Sequence, residues 1–244
     1  VQEKAAYLNI PFLVARNLVA VLLLFGMALY FVYHAVRPDM GLTRGADGGD
    51  PAREAWREHL TQGWMGQEQE EVNSYKRMTT IAPAFVIVYA LVMSIIVYDW
   101  VMTLEPHWYS TMIGPWFFMG AFWGGIASTA LWSLYLRTQD KEFKNHIGLQ
   151  QRHDIGKLAF AFSVFWTYLF FGQYLVIWYG KLPWEQAWMV RRSDPESWGP
   201  YSLLVIVMCF VIPFAGLIGR KAKMTPVVFR SVALVLLAGL WLEK

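Results

Sequence analysis

The residues of this chain that could do chemistry gather at the ends of long apolar runs. Asp99, Glu105 and His107 fall within Asp99-Trp100-Val101-Met102-Thr103-Leu104-Glu105-Pro106-His107-Trp108-Tyr109-Ser110-Thr111. Two carboxylates and a histidine among aromatic rings can relay protons from the edge of an apolar layer to water, because imidazole titrates near neutral pH. The plainer alternative is that they close a helix end. Further on, Tyr168, Gln173 and Tyr174 interrupt another apolar run. Their phenol and amide groups can hydrogen-bond a quinone carbonyl or a water chain, and can equally satisfy neighbouring helices. His153 and Asp154, with Lys157, stand at the start of that run, and Tyr30 and His34 share a helical face four residues apart. Either group could admit protons, although charges at a loop edge are ordinarily just solvated.

Absences narrow the chemistry. The single Cys209 excludes a disulfide framework, a CxxC metal cage and a CxxCH site for attached haem. His34, His59, His107, His146 and His153 lie in loops or at the ends of runs, so no pair stands ready to hold a b-type haem within a membrane. No glycine-rich phosphate loop is present. The chain is therefore expected to bind no metal or redox cofactor of its own.

The elements that must position these residues are membrane spans. Of 244 residues, 56% are hydrophobic and 16% charged, where a soluble domain carries about 25% charged residues. The mean hydropathy is +0.33. A net charge of +3, spread along the chain, makes nucleic acid an unsuitable partner. Crossing a bilayer takes roughly 20 apolar residues. Runs at 12–36, 80–101, 115–136, 158–178, 201–218 and 227–241 predict an all-α, polytopic transmembrane helix bundle in a single integral membrane domain. The last run stops at the chain end and the first residue is Val, so the chain is expected to be an internal piece of a longer protein.

Orientation follows from basic loops, which stay cytoplasmic. Arg37, Arg44, Arg53, Arg57, Lys76 and Arg77 mark the hydrophilic loop 37–77 as inner. Arg137, Lys141, Lys144, Arg152 and Lys157 do the same for 137–157, and Arg220, Lys221 and Lys223 for 220–223. Segments 103–114 and 179–200 are then outer. Trp100, Trp108, Trp116, Trp178, Trp184, Trp188, Trp198 and Trp241 all fall on that outer side. Some are an interfacial belt; the excess is expected to meet a partner subunit or a lipid-like ligand. Within 37–77, Asp50 and Pro51 read as the start of a short surface helix bearing Ala52, Trp56 and Leu60 on one face. Gly120, Gly124 and Ser128 form a small-residue packing seam. Pro213 predicts a kink near 209–213, and Arg230 is placed to snorkel to the inner surface.

Two stretches carry a resemblance. One is Leu104-Glu105-Pro106-His107-Trp108-Tyr109-Ser110-Thr111. The other is Phe171-Gly172-Gln173-Tyr174-Leu175-Val176-Ile177-Trp178-Tyr179-Gly180-Lys181-Leu182-Pro183, followed by Arg191-Arg192, Trp198, Val211-Ile212-Pro213-Phe214 and Arg220-Lys221. Across most of 75–244 the series resembles the F subunit of bacterial alternative complex III, the larger of its two NrfD/PsrC-like membrane subunits. The resemblance implies a subunit of roughly ten helices in the bacterial cytoplasmic (inner) membrane. It also implies a quinol:electron-acceptor oxidoreductase complex of an electron-transport chain, with quinone or menaquinone bound in the complex. Its partners would be a sister NrfD-like subunit and subunits holding c-type haems and iron–sulfur clusters. This subunit would supply proton half-channels, and Asp99, Glu105, His107, Gln173 and Tyr174 are the positions carried over. Glu105 stands where relatives are expected to carry Asp, and Trp184-Glu185-Gln186 departs from a more acidic pattern.

Two other readings compete. A secondary transporter would show broken helices, midplane polar groups and internal repeats; only Pro213 points that way. A structural anchor would need none of these groups.

Overall fold

A computed structural model describes residues 5–43, 51–105, 108–139 and 147–243. Six of its helices are long and apolar enough to cross a membrane: Ile10–Leu42, Gln67–Leu104, Ile113–Gln139, Leu149–Gly180, Gly199–Leu217 and Pro226–Glu243. There is no strand among the described residues. The chain is an all-helical, multi-pass membrane protein.

Each predicted apolar run coincides with one candidate span, the fifth ending at Leu217 rather than 218 and the second and fifth containing a π-turn, and several helices continue beyond their runs. The first ends at Leu42 and the second begins at Gln67, so much of segment 37–77 is helical where a loop is expected. Backbone hydrogen bonding propagates without regard to side-chain polarity. Polar side chains on the overhanging turns need only reach water. The short surface helix occupies Pro51–Leu60; its expected N-cap, Asp50, lies outside the described residues.

The chain divides into two compact units, Val1–Ile96 and Val97–Lys244. In the first, a short helix α1 (Ala5–Leu8) leads into α2 (Ile10–Leu42). The Asn9 side chain caps α2 by accepting the Phe12 amide at 2.9 Å. α2 packs along α4 (Gln67–Ile96), with Phe31 stacked on Phe85, and α3 (Pro51–Leu60) rests against α2. Among the described residues of this unit, only Ala20 and Val92 are buried hydrophobics, whereas Leu18, Val19, Leu22 and Leu23 are exposed. Such a hairpin has no core of its own for water to enforce; its outer face is suited to lipid.

The second unit opens with a π-turn, Val97–Val101, and a 3-10 turn, Met102–Leu104. Then follow α5 (Ile113–Gln139), α6 (Leu149–Gly180) and α7 (Pro183–Ser193). The fifth span comprises α8 (Gly199–Ile206), a π-turn at Val207–Val211 and α9 (Ile212–Leu217). Short α10 (Arg220–Met224) leads to α11 (Pro226–Glu243). α5 packs against α6 and α11 around a tryptophan core. Trp123 and Trp166 are fully buried, and the Trp123 indole donates to the Ala159 carbonyl at 2.9 Å. Trp166 lies flat on Phe170, 5.5 Å between centroids. At Gly124 a Cβ would stand 3.5 Å from Leu240 Cδ1, so the small-residue seam is where α11 meets α5.

The distortion expected at Pro213 takes the form of the second π-turn. Proline cannot donate to the Cys209 carbonyl and its ring crowds that oxygen. The preceding turn widens in response. α11 comes close there: a Cβ on Gly239 would lie 2.8 Å from both Cys209 Sγ and Met208 Cβ.

Candidate functional site

Two places gather buried polar groups, one in each unit. In the first unit, α2 and α4 each carry a polar stripe at helical spacing: Tyr30, His34 and Arg37 on one, Glu70, Ser74 and Arg77 on the other. All of these except Tyr30, together with Gly63, Met65 and Asn73, line a cavity of about 170 Å³. One wall is a closed ion pair. Arg37 Nε donates to Glu70 Oε2 at 2.8 Å and Nη2 donates to Oε1 at 3.1 Å. The remaining guanidinium donors go to the Leu60 and Gln62 carbonyls, each at 3.0 Å, and to the Tyr33 hydroxyl. Glu70 Oε1 also accepts the Met65 amide at 3.3 Å. Gly63 and Gly66 bring this connection back onto the pair with φ of 71° and 107°, a region glycine enters without steric cost.

The other wall is unsatisfied. His34 is 2% exposed, edge-on to Tyr30 and Tyr33. Arg77 Nη1 stands 3.5 Å from His34 Nε2. A guanidinium only donates, so the imidazole accepts at Nε2 and a neutral ring carries its proton on Nδ1. That Nδ1 and the Ser74 Oγ are buried and have no hydrogen-bond partner among the described residues. On the basic-loop criterion this cavity opens on the inner side.

In the second unit the polar groups considered lie around the π-turn, α7 and α6. Asp99 lies in the π-turn at 6% exposure, while neighbouring Trp100 faces outward. Glu105 pairs with Arg191 at 3.3 Å on the surface. Trp108 stacks on Trp188 at 4.3 Å, and the Arg192 guanidinium lies over the Trp188 ring at 4.0 Å. Burial pushes the Arg192 pKa down, with Glu243 opposing the shift. On α6, Gln173 is 3% exposed and its Nε2 has no partner among the described residues. Tyr168 and Tyr174 do not join it: they are exposed and stack on Phe165 and Trp178. One helix face cannot hold 168, 173 and 174 together, and the buried face follows 166, 169, 173 and 177.

His153 and Asp154 form a surface network on α6. Lys157 Nζ lies 2.7 Å from Asp154 and His153 Nδ1 lies 4.0 Å from it. His107 lies outside the described residues. The predicted tryptophan girdle divides. Trp100, Trp178, Trp184, Trp198 and Trp241 are exposed, whereas Trp108 and Trp116 are buried and Trp188 is half-buried against Trp108 and Arg192. Reading Arg37, Glu70, Ser74 and Arg77 as loop residues hides the inner cavity. Their spacing along extended helices is the signal that reveals it.

Among the described residues, no three His, Cys, Asp or Glu side chains gather to hold a metal ion. These sites belong to a multi-pass α-helical membrane protein. The chain matches no model of a known protein family, and no curated protein matches it in sequence.

Proposed function

We propose that this chain is a membrane subunit of a bacterial quinol:electron-acceptor oxidoreductase of the alternative complex III kind. It carries no redox centre, contacts quinone through the second unit and moves protons at the membrane's two surfaces. Its partners are a sister NrfD-like subunit and subunits bearing c-type haems and iron–sulfur clusters, all in the cytoplasmic membrane. One observation carries this reading: two of the five polar groups singled out by the resemblance, Asp99 and Gln173, are folded inward. Asp99 and Gln173 are 6% and 3% exposed. Gln173 Nε2 is buried without a partner among the described residues, which costs about 1–3 kcal/mol and which selection discards unless the group is used. A quinone carbonyl or a water is the acceptor that Gln173 Nε2 lacks. Ionisable groups at membrane depth mark proton routes by default. Asp99 serves the outer side. His34, being buried, is a better inner-side candidate than the solvated pair His153 and Asp154.

The test uses the purified complex in proteoliposomes, measuring quinol oxidation and proton release. Asp99→Asn is expected to lower proton release per quinol in an assembled complex. Gln173→Leu is expected to slow quinol oxidation about tenfold, the value of one lost hydrogen bond of about 1.4 kcal/mol. Unchanged turnover and proton release in both assembled variants would leave only the structural anchor.

A further inference from the structure

We infer that the cavity between α2 and α4 binds a phosphate group, held by Arg77, His34 Nδ1 and Ser74 Oγ. Nothing in this inference depends on the quinol reading; it needs only the donors of the first unit. Charge sets the sign of the ligand. Glu70 is neutralised by Arg37, whose donors are all engaged. Arg77 at the mouth has no carboxylate partner among the described residues, which leaves the cavity with an uncompensated positive charge.

Hydrogen-bond polarity agrees. The tautomer dictated by Arg77 makes His34 Nδ1 a donor, and the Ser74 hydroxyl can donate as well. Both atoms are buried and unpartnered, on side chains 2% exposed. Three groups able to donate, beside one net positive charge, suit an anion.

Size and place narrow the anion. A cavity of about 170 Å³ has the volume of roughly five waters, enough for a five-atom phosphate group with solvent beside it. His34 ends an apolar run whose exposed face suits lipid, so the cavity lies at headgroup level on the inner side. That level offers two sources of one chemistry, the phosphate of an anionic phospholipid and free phosphate. Arg77 at the mouth with His34 and Ser74 deeper suits a headgroup entering from the side.

The test measures the thermal midpoint of the full-length protein in phosphorus-free maltoside micelles. Dioleoyl phosphatidylglycerol, dioleoyl phosphatidylcholine or inorganic phosphate is titrated in. Phosphatidylglycerol is expected to raise the midpoint saturably, with an apparent affinity at least tenfold weaker in Arg77→Gln. Ser74→Ala should weaken it less, and Lys76→Gln, which removes an exposed neighbouring charge, should leave it unchanged. A saturable rise with inorganic phosphate, abolished by the same variants, would also support the site and name free phosphate as the source. Should Arg77→Gln unfold, phosphorus retained per chain after purification is compared between wild type and Ser74→Ala. Overturning results are no saturable shift with either phosphate source, or an equal response in wild type and both cavity variants.

Discussion

Replacing Glu70 by Ala removes the acceptor of two charge-assisted bonds from Arg37 and of the Met65 amide. The side chains of Arg37 and Glu70 are 12% and 5% exposed, so solvent screens them little. Stranding one member of a buried pair costs about 3–5 kcal/mol. Arg37 keeps the Leu60 and Gln62 carbonyls and the Tyr33 hydroxyl, which places the loss near the lower end, about 3 kcal/mol. The pair ties the connection between α3 and α4 to α2, so this loss appears as local opening of residues 61–66. At 1.36 kcal/mol per decade, amide exchange there rises roughly a hundredfold. Hydrogen–deuterium exchange of the protein in maltoside micelles, read by mass spectrometry over 61–66, measures it directly. Glu54→Ala breaks only the 3.6 Å pair with Arg57 and is the control, worth under about 1 kcal/mol. A rise within about threefold for Glu70→Ala, equal to the control, would refute the clamp.

Other substitutions test the packing. Gly239→Val forces a side chain into Cys209 and Met208 and should lower the thermal midpoint, at about 1–3 kcal/mol. Gly26→Ala meets nothing within 4 Å and should leave the midpoint unchanged or raise it, by up to about 1 kcal/mol of helix propensity. Trp188→Ala unstacks Trp108 and uncovers Arg192, and should cost about 3–5 kcal/mol in chemical unfolding of the second unit. Gln173→Met removes an amide whose Nε2 bonds to nothing among the described residues, so the resting protein should be more stable by about 1 kcal/mol.

The spans are legible in the sequence because lipid allows only long apolar helices or closed barrels to cross. Their ends are not, since Gln67–Thr79 is polar yet helical. That is why the Arg37–Glu70 pair, 33 residues apart, cannot be read from spacing alone. His34 is legible as a candidate from the face it shares with Tyr30; its partner Arg77 stands 43 residues on and is set by how α2 meets α4. The tryptophans divide for the same reason, as indole prefers an interface and a packed core almost equally. Pro213 announces the second π-turn. The first, Val97–Val101, contains neither Pro nor Gly, and Asp99 within it is buried by a backbone change with no local signal.

Whether this chain serves a quinol-oxidising complex is decided by gentle purification from its own membranes with a reduced-minus-oxidised visible spectrum. A c-type haem band and co-purifying iron–sulfur and NrfD-like subunits are expected. A colourless protein without those partners would contradict that role.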